Sequence, residues 1–143
     1  MNWWSFERRW LAAIWATILP SGTPGGLALG ASDVPLDRFL DQLIALAPAR
    51  VSFGARACVW LLTFCPLLVL GRFALFPSLE TEARLALLDK LRSSDVYLVR
   101  ELPILFKMLG ALGYAGLPEV QRQMGIPLDD DTPRPDWAAE PKP

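Results

Sequence analysis

Apolar residues along this chain recur at every third or fourth position, which is the spacing that places them on one side of an α-helix. No segment shows the sustained alternation of apolar and polar residues that indicates a half-buried strand. Proline and glycine divide the sequence into lengths typical of helices. We therefore predict an all-α fold, a small irregular bundle of about five to six helices with a disordered or extended acidic, proline-rich tail.

The predicted helices begin at residues with known capping preferences. Asp33 and Ser78 can cap the second and fourth helices, because their side-chain oxygens accept hydrogen bonds from free backbone N–H groups. Asp95 opens the fifth helix, which contains Pro103 and is expected to kink there. The expected helices cover residues 6–19, 33–48, 49–70, 78–92, 95–114 and 118–125.

The carboxyl-terminal residues differ in composition from the rest of the chain. Residues 128–143 contain five acidic and two basic side chains, a net charge of −3, together with repeated prolines. Such a segment buries too little apolar surface to offset the entropy lost on ordering. We therefore expect a helical domain over residues 1–127 and an acidic proline-rich tail over residues 128–143.

The chain holds more bulky apolar residues than one small core can enclose. Apolar residues make up 52% of its 143 residues and include six tryptophans and seven phenylalanines. The uncharged run 57–71 lies between Arg56 and Arg72, and as a helix it would span about 22 Å, less than the ~30 Å core of a bilayer. A buried central helix is therefore the preferred interpretation. The alternative is docking on a membrane surface through Trp60, Phe64, Phe73 and Phe76.

Histidine is absent from the sequence, which excludes catalytic relays and metal sites that depend on imidazole. Neither a dinucleotide-binding glycine pattern nor a Walker A lysine is present. Asp37 and Asp41 share a helix face and could form an acid/base pair or bind a hard cation, although a solvated helix face is the commoner origin of this spacing. We assign no catalytic, cofactor-binding or metal-binding residue and predict that the chain is not an enzyme.

The two cysteines, Cys58 and Cys65, are seven positions apart within the predicted third helix. On an intact helix this spacing corresponds to about 10.5 Å, beyond the roughly 7 Å between Cα atoms that a disulfide can bridge. We therefore expect both thiols to be reduced.

The amino terminus carries Arg8 and Arg9 directly before an apolar run, an arrangement that also begins twin-arginine export signals. The apolar run is rich in aromatic residues, and no site for signal cleavage follows it directly. We prefer the interpretation of a first structural helix in a cytoplasmic protein, with association with a membrane surface left open.

From about residue 61 to residue 127 the sequence carries a series of elements in a characteristic order. An aromatic-rich helix ends at Gly71-Arg72-Phe73, with Phe76 shortly after it. The elements that follow are Ser78-Leu79-Glu80-Thr81-Glu82-Ala83-Arg84, Leu87-Leu88-Asp89-Lys90-Leu91-Arg92-Ser93-Ser94, Leu102-Pro103-Ile104-Leu105-Phe106-Lys107, Tyr114 and Val120-Gln121-Arg122-Gln123-Met124-Gly125-Ile126-Pro127. This series resembles the small helical domain that accompanies glucose–methanol–choline flavin oxidoreductases, as the third subunit of gluconate 2-dehydrogenase or fused to long-chain fatty alcohol oxidases.

The resemblance implies a non-catalytic accessory subunit that binds and stabilises a large FAD-dependent oxidoreductase acting on an alcohol, sugar or sterol hydroxyl. The FAD would belong to that partner, and no nucleic acid is expected because the formal net charge is only −1. The alternative is a self-contained helical scaffold or membrane-surface adaptor without an enzyme partner. Because bulky apolar residues are concentrated in the matching region, we expect the partner interface to include Trp60, Phe64, Phe73, Phe76 and Lys107.

Overall fold

Six helices make up most of the chain that the structure describes. The structure, a computed structural model, describes residues 3–22 and 28–126, and no strand occurs within these ranges. A short 3-10 turn, Phe76–Ser78, lies between the third and fourth helices. The predicted all-α fold is confirmed. The helices are α1 (Ser5–Ile18), α2 (Leu36–Leu46), α3 (Ala49–Val69), α4 (Thr81–Arg92), α5 (Tyr97–Ala115) and α6 (Pro118–Gln123).

The central element of the bundle is α1. It packs against α3, α4, α5 and the 3-10 turn, whereas α2 and α6 pack mainly against α5. Leu11, Ile14 and Trp15 are buried because their spacing places them on one side of α1. A single apolar cluster joins this side of α1 to buried side chains of the other helices, among them Leu40, Val59, Leu62, Phe76, Leu87, Leu91, Phe106 and Val120.

The contact between α1 and α5 depends on a buried tryptophan and a glycine. The indole N–H of Trp15 donates a hydrogen bond to the backbone carbonyl of Phe106 at 3.2 Å. Its ring lies so close to α5 that a Cβ at Gly110 would be 2.9 Å from the nearest ring atoms. Glycine at this position therefore allows the two helices to approach, and the hydrogen bond fixes the orientation of the indole.

The start of α4 differs from the prediction. Ser78 belongs to the 3-10 turn, where its Oγ donates to the Leu75 carbonyl at 2.7 Å and accepts from the Leu75 N–H at 3.1 Å. The helix begins later, at Thr81, with Glu80 in the N-cap position. Ser78 therefore caps the turn and not α4, because a serine hydroxyl readily bonds the backbone next to it.

Asp33 likewise stabilises a turn and does not cap α2. Its carboxylate accepts hydrogen bonds from the backbone N–H of Gly30 at 2.7 Å and from the Ser21 hydroxyl. Helix α2 begins at Leu36, with Pro35 in the N-cap position. Local hydrogen bonding of short polar side chains explains the error at both predicted caps. The same kind of shift occurs at α5, which begins two residues after Asp95.

The two cysteines lie on one unbroken helix, as predicted. Cys58 and Cys65 are both within α3, and both are free. Burial raises the pKa of each thiol, because it disfavours the charged thiolate. These residues therefore behave as small apolar side chains at neutral pH.

The predicted acidic tail, residues 128–143, lies outside the described residues, as does residue 127 at the predicted domain boundary. The described chain ends after α6, close to the segment that precedes α2. There the backbone N–H of Leu29 donates to Oε1 of Gln123 at 3.5 Å. The division into domain and tail stays a prediction.

Alanine at two helical glycines should change stability in opposite directions. At Gly113 of α5 a new Cβ would lie 2.5 Å from the Phe39 ring of α2, so Gly113→Ala should lower the free energy of unfolding by about 1–3 kcal/mol. At Gly54 of α3 a Cβ meets nothing within 4 Å. Gly54→Ala should therefore raise the free energy of unfolding by about 0.5–1 kcal/mol, through helix propensity. Urea unfolding followed by circular dichroism measures both, and a stabilising Gly113→Ala would contradict the close packing of α2 on α5.

Candidate docking surface

One side of α3 is apolar along almost the whole helix and points away from the core. Spacings of three and four residues place its members together, opposite the buried Ser52, Val59 and Thr63. We call this set the α3 outer face. It consists of Phe53, Ala57, Trp60, Leu61, Phe64, Leu67 and Leu68.

The α3 outer face is accessible from solvent over most of its length. The side chains of Phe53, Leu61 and Leu68 are 69%, 55% and 79% exposed. Phe64 and Leu67, between them, are also exposed. A contiguous apolar surface of this extent is uncommon on a monomeric soluble protein and marks contact with another protein or with lipid.

Aromatic side chains of α1 extend this face along one edge. The Trp10 ring meets Trp60 and Phe64 edge-to-face, with ring centroids 5.3 Å and 5.9 Å apart. Phe6 packs against Trp10 with ring centroids 4.9 Å apart, and Trp4 packs against Phe6 with ring centroids 5.2 Å apart. Each such ring pair contributes about 0.5–1.5 kcal/mol beyond the burial of its area. The rings therefore form a connected surface of fixed shape.

A buried carboxylate attaches α3 to α1 beneath this surface. Glu7 is fully buried, and its two oxygens accept hydrogen bonds from Nε and Nη2 of Arg56, both at 2.5 Å. The same carboxylate accepts from the indole N–H of Trp60 at 2.7 Å and from the backbone N–H of Trp4 at 2.9 Å. The Arg56 guanidinium also lies 4.5 Å from the centroid of the Trp4 ring, a cation–π contact. One carboxylate thus fixes two tryptophans and one arginine at the edge of the docking surface.

Burial by itself would raise the pKa of Glu7, because it disfavours the charged form. The hydrogen bonds from Arg56, Trp60 and the Trp4 backbone, with the positive charge of Arg56, together outweigh burial and hold this pKa below its ordinary value. Glu7 is therefore ionised at neutral pH. Its charge is balanced by Arg56, so the ion pair adds no net charge to the surface above it.

The structure brings together two of the predicted interface residues and separates the others. Trp60 and Phe64 stack with ring centroids 5.8 Å apart on the α3 outer face, and Phe73, just beyond α3, is fully exposed. Phe76 is fully buried, because the 3-10 turn folds back against α1 and α3. The expectation that Phe76 faces a partner is therefore corrected, since its ring is part of the core of this chain.

Lys107, the fifth predicted interface residue, lies elsewhere. It is exposed on α5 and lines a groove of about 260 Å³ together with Asp89 and Arg92 of α4. None of the residues of the α3 outer face lines this groove. The sequence analysis grouped Lys107 with the aromatic interface residues, and the structure separates it from the α3 outer face.

The paired aspartates of α2 take part in an ion pair with α1. Arg8 donates two hydrogen bonds of 2.8 Å to the carboxylate of Asp41, and Asp37 is exposed nearby. Among the described residues no group of three or more side chains is placed to hold a metal ion. This geometry makes Asp41 a structural partner of Arg8.

Sequence analysis missed Glu7 and the outward position of Phe53, Leu61 and Leu68. Glu7 could have been found, because it lies four residues before Leu11 on the apolar stripe of α1, where a carboxylate needs a partner. Leu61 and Leu68 could not, because the second half of α3 is apolar on every side.

Within the described ranges, α3 is the one helix long and apolar enough to cross a membrane by length and composition. About a third of its most apolar window, 33%, is buried inside the protein. Core helices of soluble proteins pass the same test when they are mostly buried. For α3 the exposed remainder is the feature that requires an explanation.

Comparisons with protein-family models, curated proteins and solved structures find no match to this chain.

Removal of the Glu7 charge should weaken the attachment of α3 to α1. Glu7→Gln leaves Arg56 without its carboxylate, and we expect the free energy of unfolding at neutral pH to fall by about 3 kcal/mol. Since the folded-state pKa of Glu7 is lowered, the stability that its charge provides is present above the ordinary value of 4.5 and is lost as pH falls through the folded value. The difference between wild type and variant should therefore shrink in acid, as measured by urea unfolding over a pH series. A pH-independent difference would contradict the role of the charge.

Proposed function

We propose that this chain is a non-catalytic accessory subunit that binds and stabilises a large FAD-dependent oxidoreductase of the glucose–methanol–choline type. The α3 outer face, with the α1 aromatics and Phe73, forms the contact surface. The partner carries the FAD and the catalytic residues, and its substrate is an alcohol, a sugar or a sterol hydroxyl.

The observation that carries this proposal is the exposed state of the α3 outer face. The isolated chain leaves Phe53, Leu61, Leu68 and Phe73 largely uncovered. Transfer of apolar surface out of water contributes about 25 cal/mol per Å², and a buried aromatic side chain covers about 150–250 Å². Association that covers this surface is therefore strongly favourable, whereas its exposure favours aggregation.

The form of the surface suits an obligate protein interface. Interfaces of permanent complexes resemble a section through a domain core and are enriched in tryptophan and phenylalanine at their centres. Here Trp10, Trp60 and Phe64 are already fixed by ring contacts and by the Glu7 hydrogen bond. A surface fixed before binding loses little side-chain entropy when the complex forms.

The identity of the partner as a flavoprotein comes from the family resemblance of residues 61–127 and not from the contact surface. This region includes Leu61, Phe64, Leu67 and Leu68 of the α3 outer face and the exposed Phe73. The resemblance and the docking surface therefore share residues. That overlap is the reason for preferring an enzyme subunit to a self-contained scaffold.

A second candidate function is a membrane-surface adaptor. It is favoured by the exposed arginines at the two ends of the α3 outer face, Arg50 and Arg72, which could contact anionic headgroups while the apolar face enters the interfacial layer. Cytoplasmic location with association at a membrane surface is part of this alternative.

The decisive experiment uses three charge substitutions in the tagged chain, coexpressed with a candidate FAD-dependent oxidoreductase of the glucose–methanol–choline type. Leu61→Asp and Phe73→Asp should each abolish copurification of a flavin-containing partner, because each places a charge in the centre of an apolar interface. Leu112→Asp on α5 is the matched control, since Leu112 is 64% exposed and Leu61 55%. It should leave the flavin absorbance of the purified complex unchanged. Circular dichroism of each variant checks folding.

Two outcomes would overturn the proposal. One is retention of the flavoprotein by both docking-surface variants, which would place the interface elsewhere. The other is the absence of any bound flavoprotein together with binding of the wild-type chain to vesicles of anionic phospholipid, lost in Leu61→Asp. That result would establish the membrane-surface adaptor.

A further inference from the structure

A cavity of about 330 Å³ lies between α1, α2 and the turn that precedes α2. It is on the opposite side of α1 from Phe6 and Trp10, because its α1 residues are offset from them by about half a helical turn. It is therefore separate from the docking surface. Its floor and walls include Leu11, Ala12, Trp15, Val34, Leu36 and Leu40.

The floor of the cavity is fixed by Trp15. Its indole N–H is bound to the Phe106 carbonyl, and its ring packs closely against α5 at Gly110. The ring cannot turn into the cavity without breaking a buried hydrogen bond, which costs about 1–3 kcal/mol. The space is therefore not closed by collapse of its largest side chain.

The wall opposite α1 is fixed by hydrogen bonds of the turn. Asp33 accepts from the Gly30 N–H and the Ser21 hydroxyl, and the backbone N–H of Ala31 donates to the Leu19 carbonyl at 2.8 Å. Helix α2 is tied to α1 by the two hydrogen bonds between Arg8 and Asp41. Every wall thus has its own fixed contact, as in preformed ligand sites.

Side chains of opposite charge are among the residues that line the cavity. Arg8 is hydrogen-bonded to Asp41, and this bond raises the pKa of Arg8. The negative charges of Asp41 and Asp37 act in the same direction, whereas burial opposes them. Arg9 on α1 and Asp37 on α2 are both exposed, and among the described residues neither forms a salt bridge. The site therefore combines an apolar floor with one exposed cation, Arg9, and one exposed anion, Asp37, whose charge also acts on Arg8.

We propose that this cavity binds a free α-amino acid with an apolar side chain. The ligand carboxylate pairs with Arg9 and its ammonium group pairs with Asp37. The side chain lies on the floor formed by Leu11, Trp15 and Leu40. A ligand with a single charge would leave either Arg9 or Asp37 unpaired, whereas a zwitterion satisfies both.

The volume agrees with a ligand of this size. Small-molecule sites range over about 300–1,000 Å³, and this cavity is at the small end of that range. It suits a single aromatic ring or a branched aliphatic side chain with its polar head at the mouth. Longer amphiphiles would have to extend into solvent.

Calorimetric titration of the full-length chain with three related compounds tests the charge pattern. The compounds are L-phenylalanine, phenethylamine, which lacks the carboxylate, and hydrocinnamate, which lacks the ammonium group. We expect saturable binding of L-phenylalanine and binding of each analogue weaker by about twofold to fivefold, the range of exposed ion pairs.

Two charge variants assign the contacts. Arg9→Gln should weaken the binding of L-phenylalanine and of hydrocinnamate by about twofold to fivefold and leave the binding of phenethylamine unchanged. Asp37→Asn should weaken the binding of L-phenylalanine and of phenethylamine and leave the binding of hydrocinnamate unchanged. If both variants weaken all three compounds alike, or neither variant has an effect, the proposed pairing is wrong.

A third variant tests the location. Ala12 lines the cavity and is exposed, so Ala12→Phe fills the space without disturbing the core. It should abolish binding of L-phenylalanine. Ala86→Phe, at an exposed position of α4, is the matched control and should bind normally. Binding that survives Ala12→Phe, or no saturable binding to the wild-type chain, would overturn the proposal.

Discussion

The attachment of α3 to α1 through the buried carboxylate of Glu7 determines which side of α3 faces outward. Arg56 and Trp60 can reach that carboxylate only if the edge of α3 on which they lie, at one border of the outer face, is turned toward α1. An unpaired charge in this position would cost several kcal/mol, so the arrangement is strongly selected over a rotated one. With this side fixed, Val59, Leu62 and Thr63 enter the core, and Leu61, Phe64 and Leu68 are left outside.

The capacity of the core explains why so much of α3 stays exposed. The central helix α1 supplies one buried stripe, and α3, α4, α5 and the 3-10 turn all pack around it. Phe76 of the 3-10 turn is fully buried, and this turn packs against both α1 and α3. A helix that is apolar on every side can bury only one side in such a bundle. The remainder is available for a partner or a membrane surface.

Helix α1 connects the two proposed contact regions of the molecule. Phe6 and Trp10 extend the aromatic docking surface on one side, whereas Arg9, Ala12 and Trp15 line the cavity on the other. Both regions are held by polar contacts at their edges, Glu7 with Arg56 on one side and Arg8 with Asp41 on the other. A ligand in the cavity would therefore contact the same helix that presents part of the docking surface.

The sequence by itself determined the helical character of the described residues and most of the extents of their six helices. It also predicted that Cys58 and Cys65 share one unbroken helix. These properties follow from local periodicity and helix geometry, which depend mainly on residues close in sequence. Capping at Asp33 and Ser78 was wrong even so, because each side chain had a second backbone partner within three residues.

Only the tertiary structure decided which apolar residues form the core and which form a surface. Phe73 and Phe76 are three residues apart and chemically identical, yet one is fully exposed and the other fully buried. Burial depends on the path of the chain after α3, which folds the 3-10 turn onto α1. The positions of Glu7 beside Arg56, 49 residues away, and of Arg9 and Asp37 around one cavity likewise arise from helix packing. Contacts between distant residues leave no periodic trace in the sequence, because helices specify which sides are apolar and not what each side will meet.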